Sequence, residues 1–564
     1  MKITWKKEIK QTDKATNQEI IDIILKNRNI KDRTEFLFPL SPLDISLTKF
    51  GFKKELQKTL KLLEVIKQEG ARIVVYTDYD ADGITGGTIL WETLHLLGFN
   101  VMPYVPHRKT EGYGFSKKGI DRVKKEFNPK LIISVDHGIS GAKEITYATS
   151  LGIKIIVTDH HLKPSNPPTE AEAIFHIPDL SGSGVSYFFS KEIYYHFKKT
   201  AEKQRLATYF QSDYLTLATI GTIADMVPLV GPSRSVVYHG LRAFKDTRRS
   251  GIRHIIKEAG IVPDKEITPY EVGFIIAPRI NAVGRLEHAL DALRLLCTHN
   301  DKQAADIATK IGKTNKERQD LVIASVKDAI VMVQRMEKKK AKLPLFIILE
   351  KPDWNEGIIG LIASKIADTY SRPTIAMTKS DGFWKGSARS INDFHITNFL
   401  RSMDKYLISV GGHRGAAGFS IDEKQKEAFV KNVDKEIKKQ TVEEDFEKRF
   451  VADLKIPLSK INLTLAKQIE KLAPFGIGNS NPTFLSDVLI LEKKLFGKKS
   501  EHVKLLVKDA HTNSFPMELI TFYKAEEFKD VSKAQTVSVI YSLDINKWNG
   551  RETIRGRIAY LSLL

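Results

Sequence analysis

The stretch Arg72–Gly83, RIVVYTDYDADG, joins a short run of β-branched residues to three aspartates at alternate positions, Asp78, Asp80 and Asp82. The apolar run is short and bounded by turn residues, which predicts a buried β-strand ending at the first aspartate. Three carboxylates at this spacing repel one another unless a cation lies among them. Aspartate and glycine are also common in polar turns, so the stretch alone leaves a metal site and a plain turn open.

Three further apolar runs lie in the first third of the chain, at Val101–Val105, Leu131–Val135 and Lys154–Val157. Helix-like stretches such as Gly86–Leu97 and Lys117–Glu126 separate them. Strands of this composition that alternate with helices predict a parallel sheet covered on both faces. We therefore expect a doubly wound α/β domain over residues 45–250, preceded by an N-terminal segment of residues 1–44.

Polar side chains that can bind metals follow two of these later runs. Asp136 comes directly after Leu131–Val135, and His160 and His161 come shortly after Lys154–Val157. The ligand crevice of an open α/β sheet lies outside the carboxyl ends of its strands. We therefore expect these side chains to converge with the three aspartates of the first stretch.

A further carboxylate, Asp225, stands alone among small and apolar neighbours in Leu215–Leu229, LTLATIGTIADMVPL. A buried carboxylate without a partner is costly, so Asp225 needs a cation, a hydrogen-bond network or a helix end. Aspartate and histidine ligands without cysteine favour Mn²⁺ or Mg²⁺ over a structural zinc. Five or more such ligands are too many for one ion, and two ions that share a carboxylate are the arrangement used for phosphoryl displacement.

The composition limits the remaining possibilities. Cys297 is the single cysteine, which excludes an internal disulfide and a thiolate metal cluster. Lysine and arginine number 88 against 68 acidic residues, and this net charge of +20 favours a polyanionic partner, with a solubilising surface as the alternative. We find no signal-peptide core and no apolar stretch of membrane-spanning length, so we expect a cytoplasmic protein without membrane contact.

The second half of the chain predicts three further parts. Asp301–Lys342 lacks proline and carries apolar residues at helical spacing, which predicts a long connecting helix in a linker region of residues 251–342. Alternating strand and helix patterns predict a second, smaller α/β domain over residues 343–430. A charged stretch and several short strands predict a linker and an OB-like β-barrel over residues 431–564.

Several ordered motifs resemble one protein family. DYDADG, VDHGIS, TDHH and GTIADMVPL resemble the four motifs of the DHH phosphoesterases, and PHRKTEGYG and APRINAVGRL extend the match. GGHRGAAGF resembles the signature of a DHHA1 domain, and LAPFGIGNSNPTF resembles the entry to the OB-fold of the RecJ branch. The resemblance runs from about Val74 to Phe419 and continues into this last segment.

The resemblance implies two Mn²⁺ or Mg²⁺ ions and a set of residues that hold and use them. The implied metal ligands are Asp78, Asp80, Asp82, Asp136, His160 and Asp225. Asp136 is the implied bridge, and His161 is implied to support the ligands or to contact the phosphate being cleaved. The implied substrate contacts are Arg108, Arg279, Asn281, Arg389, Gly411, Gly412 and His413, where arginine forks suit phosphate oxygens and a 5′-phosphate above all.

The sequence departs from the family pattern at three positions. Tyr76 stands where some members have a ligating histidine, so the first metal is expected to rely on Asp78. His137 stands where close relatives often carry cysteine. Asn355 replaces a histidine that is usual in the motif DWNEGIIGLIASKIA of the second domain.

The function that the resemblance implies is hydrolysis of single-stranded DNA from the 5′ end, with release of 5′-mononucleotides, in DNA repair and recombination. Single-stranded-DNA-binding protein and a RecQ-like helicase are implied as partners. The region after about Lys448 is expected to set DNA affinity through Phe496, Lys498, Lys499, Trp548 and Arg551. Two alternatives stay open: a phosphodiesterase for oligoribonucleotides or cyclic dinucleotides, and an inactive scaffold that binds single strands in a replication complex.

Overall fold

The computed structural model describes residues 2–10, 13–108, 110–198, 204–262, 265–340, 342–380, 382–392, 394–512 and 514–563. The chain divides into two compact units, which we call the α/β unit and the barrel unit. The α/β unit comprises Ser41–Val227 and His239–Glu447. The barrel unit comprises Met1–Leu40, Pro228–Tyr238 and Lys448–Leu564.

The described residues contain strands and helices with the following bounds. The strands are β1 (Lys2–Glu8), β2 (Ile73–Thr77), β3 (Val101–Tyr104), β4 (Leu131–Val135), β5 (Lys154–Asp159), β6 (Ala173–His176), β7 (Ile347–Glu350), β8 (Thr374–Ser380), β9 (Phe383–Arg389), β10 (Ser409–His413), β11 (Ala416–Asp422), β12 (Arg449–Lys455), β13 (Thr483–Phe496), β14 (His502–Asp509), β15 (Met517–Thr521), β16 (Thr536–Trp548) and β17 (Arg551–Leu563). The helices are α1 (Asn17–Asn27), α2 (Arg33–Leu37), α3 (Lys53–Gln68), α4 (Ala81–Leu96), α5 (Lys117–Phe127), α6 (Ala142–Ser150), α7 (Gly182–Phe197), α8 (Gln204–Gln211), α9 (Asp213–Ala224), α10 (Gly231–Ala243), α11 (Ser250–Glu258), α12 (Pro269–Glu271), α13 (Ala277–Leu286), α14 (Leu290–Cys297), α15 (Asp301–Lys340), α16 (Ile359–Tyr370), α17 (Ile396–Arg401), α18 (Glu423–Gln440) and α19 (Leu463–Glu470).

The first sheet of the α/β unit has the strand order β3-β2-β4-β5-β6, and all of its pairings are parallel. Helices cover both faces, as the doubly wound prediction requires: α4 and α7 contact one side, and residues of α5 and α6 pack with the strands on the other. β3 lies on one side of β2, and β4 to β6 follow on its other side, so the strand order reverses at β2 and β4. These two strands therefore flank the topological switch point of the sheet. Thr77 pairs with Val135, so Asp78 and Asp136 leave the sheet side by side.

The connecting helix and the second lobe follow the sequence prediction closely. α15 spans 40 residues and packs against α11 and α13 near its start and against α16 and β7 further along. The second sheet has the order β10-β11-β9-β8-β7, in which only β7 and β8 are parallel. A core that includes Phe399, Phe419 and Phe429 lies between this sheet and its helices.

The barrel unit is a sheet in the order β1-β12-β13-β14-β15-β17-β16, with an added β13–β16 pairing that closes the five strands β13 to β17. β15 and β17 are parallel, and the other pairings within the closed part are antiparallel. This closed five-stranded arrangement confirms the predicted OB-like barrel.

The N-terminal segment, expected from the sequence to precede the α/β domain, belongs to the barrel unit. β1 pairs in parallel with β12, with Lys2 opposite Arg449, and Ile20 and Ile24 of α1 lie in the same core as Leu454. The pairing joins residues more than 400 positions apart, so no local pattern in the sequence indicates it. No helix among the described residues combines the length and the apolar character needed to cross a membrane.

Candidate metal centre

The loop between β2 and α4 holds the first aspartates in place through its own backbone. Asp80 caps α4, because its Oδ1 accepts hydrogen bonds from the N–H groups of Asp82 at 2.9 Å and Gly83 at 3.1 Å. A Cβ at Gly83 would lie 2.8 Å from both Cβ and the carbonyl oxygen of Asp78. Only glycine therefore allows the helix to start this close to Asp78.

Asp82 is fixed by the start of a different helix. Its Oδ2 accepts the N–H of Gly182 at 2.6 Å, and its Oδ1 accepts the N–H of Ser183 at 2.9 Å, both at the N-terminus of α7. The first N–H groups of a helix have no partner within the helix, so this carboxylate satisfies two of them. A Cβ at Gly182 would be 2.4 Å from Asp136, so the same glycine lets α7 approach a second carboxylate.

The predicted ligands from four separate segments meet around His160. Its Nε2 lies 3.1 Å from Oδ1 of Asp136, 3.5 Å from Oδ2 of Asp225 and 3.8 Å from Oδ2 of Asp82. Two triads in which potential ligand atoms lie within 4.8 Å of one another are Asp78-Asp80-Asp136 and Asp82-His160-Asp225. Asp136 and His160 join them, since both also belong to a third triad with His161.

The chemistry of this cluster fits divalent cations. Oδ1 of Asp78, Oδ1 of Asp136 and Nε2 of His160 are buried and form no hydrogen bond, since the 3.1 Å contact between the last two lacks hydrogen-bond geometry. Burial and the neighbouring carboxylates raise the pKa of Asp78, Asp80 and Asp136, and they raise the pKa of Asp225 to about 8. Burial likewise lowers the pKa of His160, which keeps the imidazole a neutral electron-pair donor. A pair of hard cations would satisfy both the unpartnered atoms and the surplus negative charge.

His161 is held differently from His160. Its Nδ1 lies 2.8 Å from Oδ1 of Asp159, a buried carboxylate that also accepts the N–H groups of His160 and His161. Burial alone would lower the pKa of His161, but the hydrogen bond and charge of Asp159 outweigh it and raise this pKa to about 9. The hydroxyl of Tyr113 lies 3.1 Å from Nε2 of His161 and donates to the carbonyl of Asp136 at 3.0 Å. His161 is therefore a cation fixed beside the carboxylates.

Four arginines gather near the carboxylate cluster. Burial and the charges of Arg108, Arg318 and Arg389 lower the pKa of Arg285 to about 10. Within the described part of the chain none of the four forms an ion pair; Arg285, for example, donates to the carbonyl of Gly357 at 3.2 Å. Arg108 and Arg285 line a small cavity of about 90 Å³. Glu287 and Glu356 line the same cavity, but neither forms an ion pair with these arginines among the described residues, so the guanidiniums can still bind an anion.

The remaining predicted substrate residues lie in different settings. Arg279 pairs with Glu258 at 2.6 Å, so its guanidinium is already engaged. Oδ1 of Asn281 accepts the N–H of Ala81 at 2.7 Å, which supports the aspartate loop. Burial and the nearby positive charge of Arg389 lower the pKa of His413. Gly411 and Gly412 precede it on the exposed edge strand β10, and Gly412 has a φ of 145°.

The three departures from the family pattern have structural explanations. Tyr76 is buried among Tyr104, Phe115 and His137, so it packs in the core away from the carboxylates. His137 places its Nε2 3.0 Å from the carbonyl of Tyr76, and burial lowers its pKa to about 4. Oδ1 of Asn355 accepts the N–H of Gly357 at 2.8 Å and thereby shapes the loop that meets Arg285.

Sequence reasoning missed three residues of the site. Asp159 directly precedes the two histidines, and Tyr113 lies in the motif PHRKTEGYG, so both had a signal in their position. Arg285 lies in APRINAVGRL, but only the fold brings it near Arg108 and Arg389.

Comparisons with known proteins match every part of this architecture. The DHH family N-terminal domain matches residues 72–222, the DHHA1 domain residues 331–439 and the RecJ OB domain residues 452–560. The structure is similar to the crystal structure of RecJ in complex with Mn²⁺ from Thermus thermophilus, with a TM-score of 0.79 and 27% identity over 99% of this chain and 79% of that one. It is also similar to exonuclease RecJ bound to manganese, with a TM-score of 0.57 and 33% identity over 68% of this chain and 94% of that one.

Curated relatives share the same name. The single-stranded-DNA-specific exonuclease RecJ of Haemophilus influenzae is 29% identical over 99% of both chains. The Bacillus subtilis RecJ is 32% identical over 87% of this chain, which spans 61% of the length of that relative. The Thermus thermophilus RecJ is 32% identical over 88% of this chain and 69% of its own length. The chain therefore belongs to the RecJ family.

Proposed function

We propose that this protein is a metal-dependent exonuclease that hydrolyses single-stranded DNA from the 5′ end and releases 5′-mononucleotides, in DNA repair and recombination. The observation that carries the proposal is the convergence of carboxylates from β2, β4 and α9 on His160, with three buried ligand atoms that lack partners. The names of the curated relatives support exonuclease activity and single-stranded DNA as the substrate.

The residues proposed to hold two Mn²⁺ or Mg²⁺ ions are Asp78, Asp80, Asp82, Asp136, His160 and Asp225. Asp136 suits the bridging position, because it belongs to a triad on each side and lies 3.1 Å from His160. Two such ions supply an activated water and stabilise charge on the scissile phosphate and the leaving oxygen. Two N–H groups at the N-terminus of α7 hold Asp82 in the orientation needed for this task.

Substrate orientation is assigned to the cations around the carboxylates. His161, whose pKa is raised to about 9, places a positive charge beside the phosphate being cleaved. The pair of Arg108 and Arg285, with Arg389 close by, suits the doubly charged 5′-phosphate of the strand. Fixing that end next to the carboxylates accounts for degradation from the 5′ side.

The barrel unit is proposed to bind the strand without doing chemistry. Phe496, Lys498 and Lys499 lie at the hairpin between β13 and β14. Arg551 and Trp548 border the turn between β16 and β17, although the side chain of Trp548 lies outside the described part of the structure. These are the two loops that flank the nucleic-acid face of an OB-fold.

The test is incubation of the purified protein with end-labelled single-stranded DNA, duplex DNA, oligoribonucleotides and cyclic dinucleotides, with Mn²⁺ or Mg²⁺. Mononucleotides released first from the 5′ end of the single strand are expected. First release from the 3′ end would overturn the polarity. Preferential cleavage of dinucleotides would favour a small-substrate phosphodiesterase, and binding without cleavage would favour the inactive scaffold.

Partners and location rest on the family resemblance. Single-stranded-DNA-binding protein and a RecQ-like helicase are proposed as partners, and the cytoplasm as the location. Co-purification of either protein with the tagged chain, after nuclease treatment removes bridging DNA, tests the partners. Recovery of neither protein would count against this assignment.

A further inference from the structure

Two aromatic side chains of the α/β unit stack on each other at the protein surface. The ring centroids of Tyr270 and Phe274 are 5.1 Å apart with an angle of 28° between the planes. The two residues are 61% and 71% exposed. Large aromatic side chains normally contribute to cores and interfaces, so an exposed stacked pair indicates a surface that meets another molecule.

The backbone beneath the rings is irregular and firmly held. α12 leads into a π-helical turn, Val272–Ile276, which continues into α13. Such turns are rare and recur at functional sites. Glu271 anchors the start of the segment, because its buried carboxylate accepts the N–H of Thr268 at 3.0 Å and pairs with Lys265 at 2.8 Å. The spacing of four residues then places both rings on one face.

The aromatic segment is packed directly on the elements that carry the carboxylates. A Cβ at Gly273 would lie 3.4 Å from Cγ2 of Ile223, which is two residues before Asp225. α13 carries Asn281, which holds the aspartate loop through the N–H of Ala81. Phe274 precedes Asn281 by seven positions, or about 10 Å along a helix axis. The ring pair therefore lies close enough to the carboxylate cluster for a few nucleotides of one strand to reach both.

The charges beside the rings favour bases over phosphates as the ligand. Lys265 is paired with Glu271 at 2.8 Å, and Arg279 is paired with Glu258 at 2.6 Å. The surface thus offers ring faces, while the cations of the flanking segments, Lys265 and Arg279, are already paired with carboxylates. Every base has a flat face that can stack on an aromatic ring, whatever the sequence.

We propose that Tyr270 and Phe274 form a stacking platform for unpaired bases of the strand whose phosphodiester bonds are cleaved at the carboxylate cluster. The inference rests on the proposed function and adds a base-binding site to it. The platform would hold the strand near the ions without contributing charge. A duplex, whose bases are already stacked and paired, would gain nothing from it.

The test compares binding of a fluorescent single-stranded oligonucleotide, with Mn²⁺ present, in an Asp136→Asn background that prevents degradation. Tyr270→Ala/Phe274→Ala should weaken binding about 5- to 150-fold, the range for one stacked base. Tyr270→Phe should keep the wild-type affinity, because the ring remains. Tyr195→Ala is the matched control: Tyr195 is 43% exposed at the far end of α7, and its replacement should change little.

Two further measurements separate stacking from charge and from a protein contact. The loss caused by the double substitution should be equal at low and high salt, since no phosphate contact is removed. It should vanish on an oligonucleotide that has abasic sites in place of the bases. Unchanged affinity for normal DNA, or reduced self-association in place of reduced DNA binding, would overturn the platform. If the parent protein itself neither binds nor cleaves single strands, the proposed function has failed, which is a distinct result.

Discussion

Replacing Asp136 by Asn should stabilise the metal-free protein while it abolishes hydrolysis. Asp136 carries one of three potential ligand atoms, with those of Asp78 and Asp80, that lie within 4.8 Å of one another. At that separation two full charges repel by about 3.5 kcal/mol at an effective dielectric constant of about 20. The carboxyl can escape this repulsion by taking up a proton, which sets a limit on the cost.

The free energy needed to protonate the carboxyl is the upper limit of the cost of this repulsion. Burial first, and then the charges of Asp82 and Asp80, raise the pKa of Asp136 well above its ordinary value of 3.8. Holding the carboxyl protonated at a pH of about 7.5 then costs at most about 5 kcal/mol, at 1.36 kcal/mol per unit. An asparagine avoids this cost but leaves its own amide partly unsatisfied, at about 1–3 kcal/mol. The repulsion of about 3.5 kcal/mol less this amide cost leaves an expected net gain of about 0.5–2.5 kcal/mol in the metal-free state.

Mn²⁺ should reverse the order of the two proteins. At 100 times the dissociation constant, a bound ion adds about 2.7 kcal/mol to the wild type, and the variant should gain far less. Urea unfolding, followed by intrinsic tryptophan fluorescence, measures both effects, and Trp91, Trp354 and Trp384 of the α/β unit contribute to the signal. Asp320→Asn, on an exposed turn of α15, is the control and should shift stability by less than about 0.5 kcal/mol. A metal-free Asp136→Asn protein that is less stable than the wild type would refute the reasoning.

Three further predictions concern catalysis and DNA binding. Arg108→Gln should lower the ratio of kcat/KM for a 5′-phosphorylated strand to kcat/KM for a 5′-hydroxyl strand about tenfold, because it removes one guanidinium from the group of arginines. An unchanged ratio in end-labelled assays would mean that the 5′-phosphate binds elsewhere. Tyr113→Phe should lower kcat about tenfold, because it removes the hydrogen bond between the Tyr113 hydroxyl and His161. The affinity for Mn²⁺, measured by calorimetry, should stay the same. A lower affinity for Mn²⁺ would mean that the hydroxyl is itself a metal ligand. Lys498→Gln/Lys499→Gln should raise KM on long strands, leave kcat unchanged, and reduce the dependence of binding on salt by about two phosphate contacts. Equal salt dependence in the variant and the wild type would indicate that this hairpin does not contact the strand.

The structure also changes how the barrel should be tested. Removing Val451–Leu564 is the obvious truncation from the sequence, but it would take away the strands against which β1 and α1 pack. Ile20 and Ile24 would then lose the core that buries them. Point substitutions in the β13–β14 hairpin avoid this problem, which is why the salt-dependence experiment uses them.

The parts of the fold that follow local patterns could be predicted from the sequence. β2, β4 and β5 are short apolar runs that end in acidic or imidazole side chains, and the rule for parallel sheets brings those ends together. The long helix α15 follows from uninterrupted helical spacing. Both signals depend on residues that are close in sequence.

The parts that escaped prediction depend on packing between distant segments. β13 spans 14 residues and passes through an irregularity between Ile490 and Glu492, which depends on its pairing with β14. The sequence around Arg285 does not indicate a role for it, because that role depends on the proximity of Arg108 and Arg389 in the folded chain. The stacked pair Tyr270 and Phe274 likewise reads as ordinary core residues until their exposure is known.

The parallel pairing of β1 with β12 has a consequence for folding during synthesis. Lys2 and Arg449 are partners, so the ribosome must add more than 400 residues before β1 can pair. At 5–20 residues per second this takes on the order of 20–90 s. The first 40 residues wait through that period with Ile20, Ile24 and Phe36 exposed, while the α/β unit can fold as soon as it emerges. The nascent N-terminus is thus the segment of this protein on which a chaperone has the longest time to act.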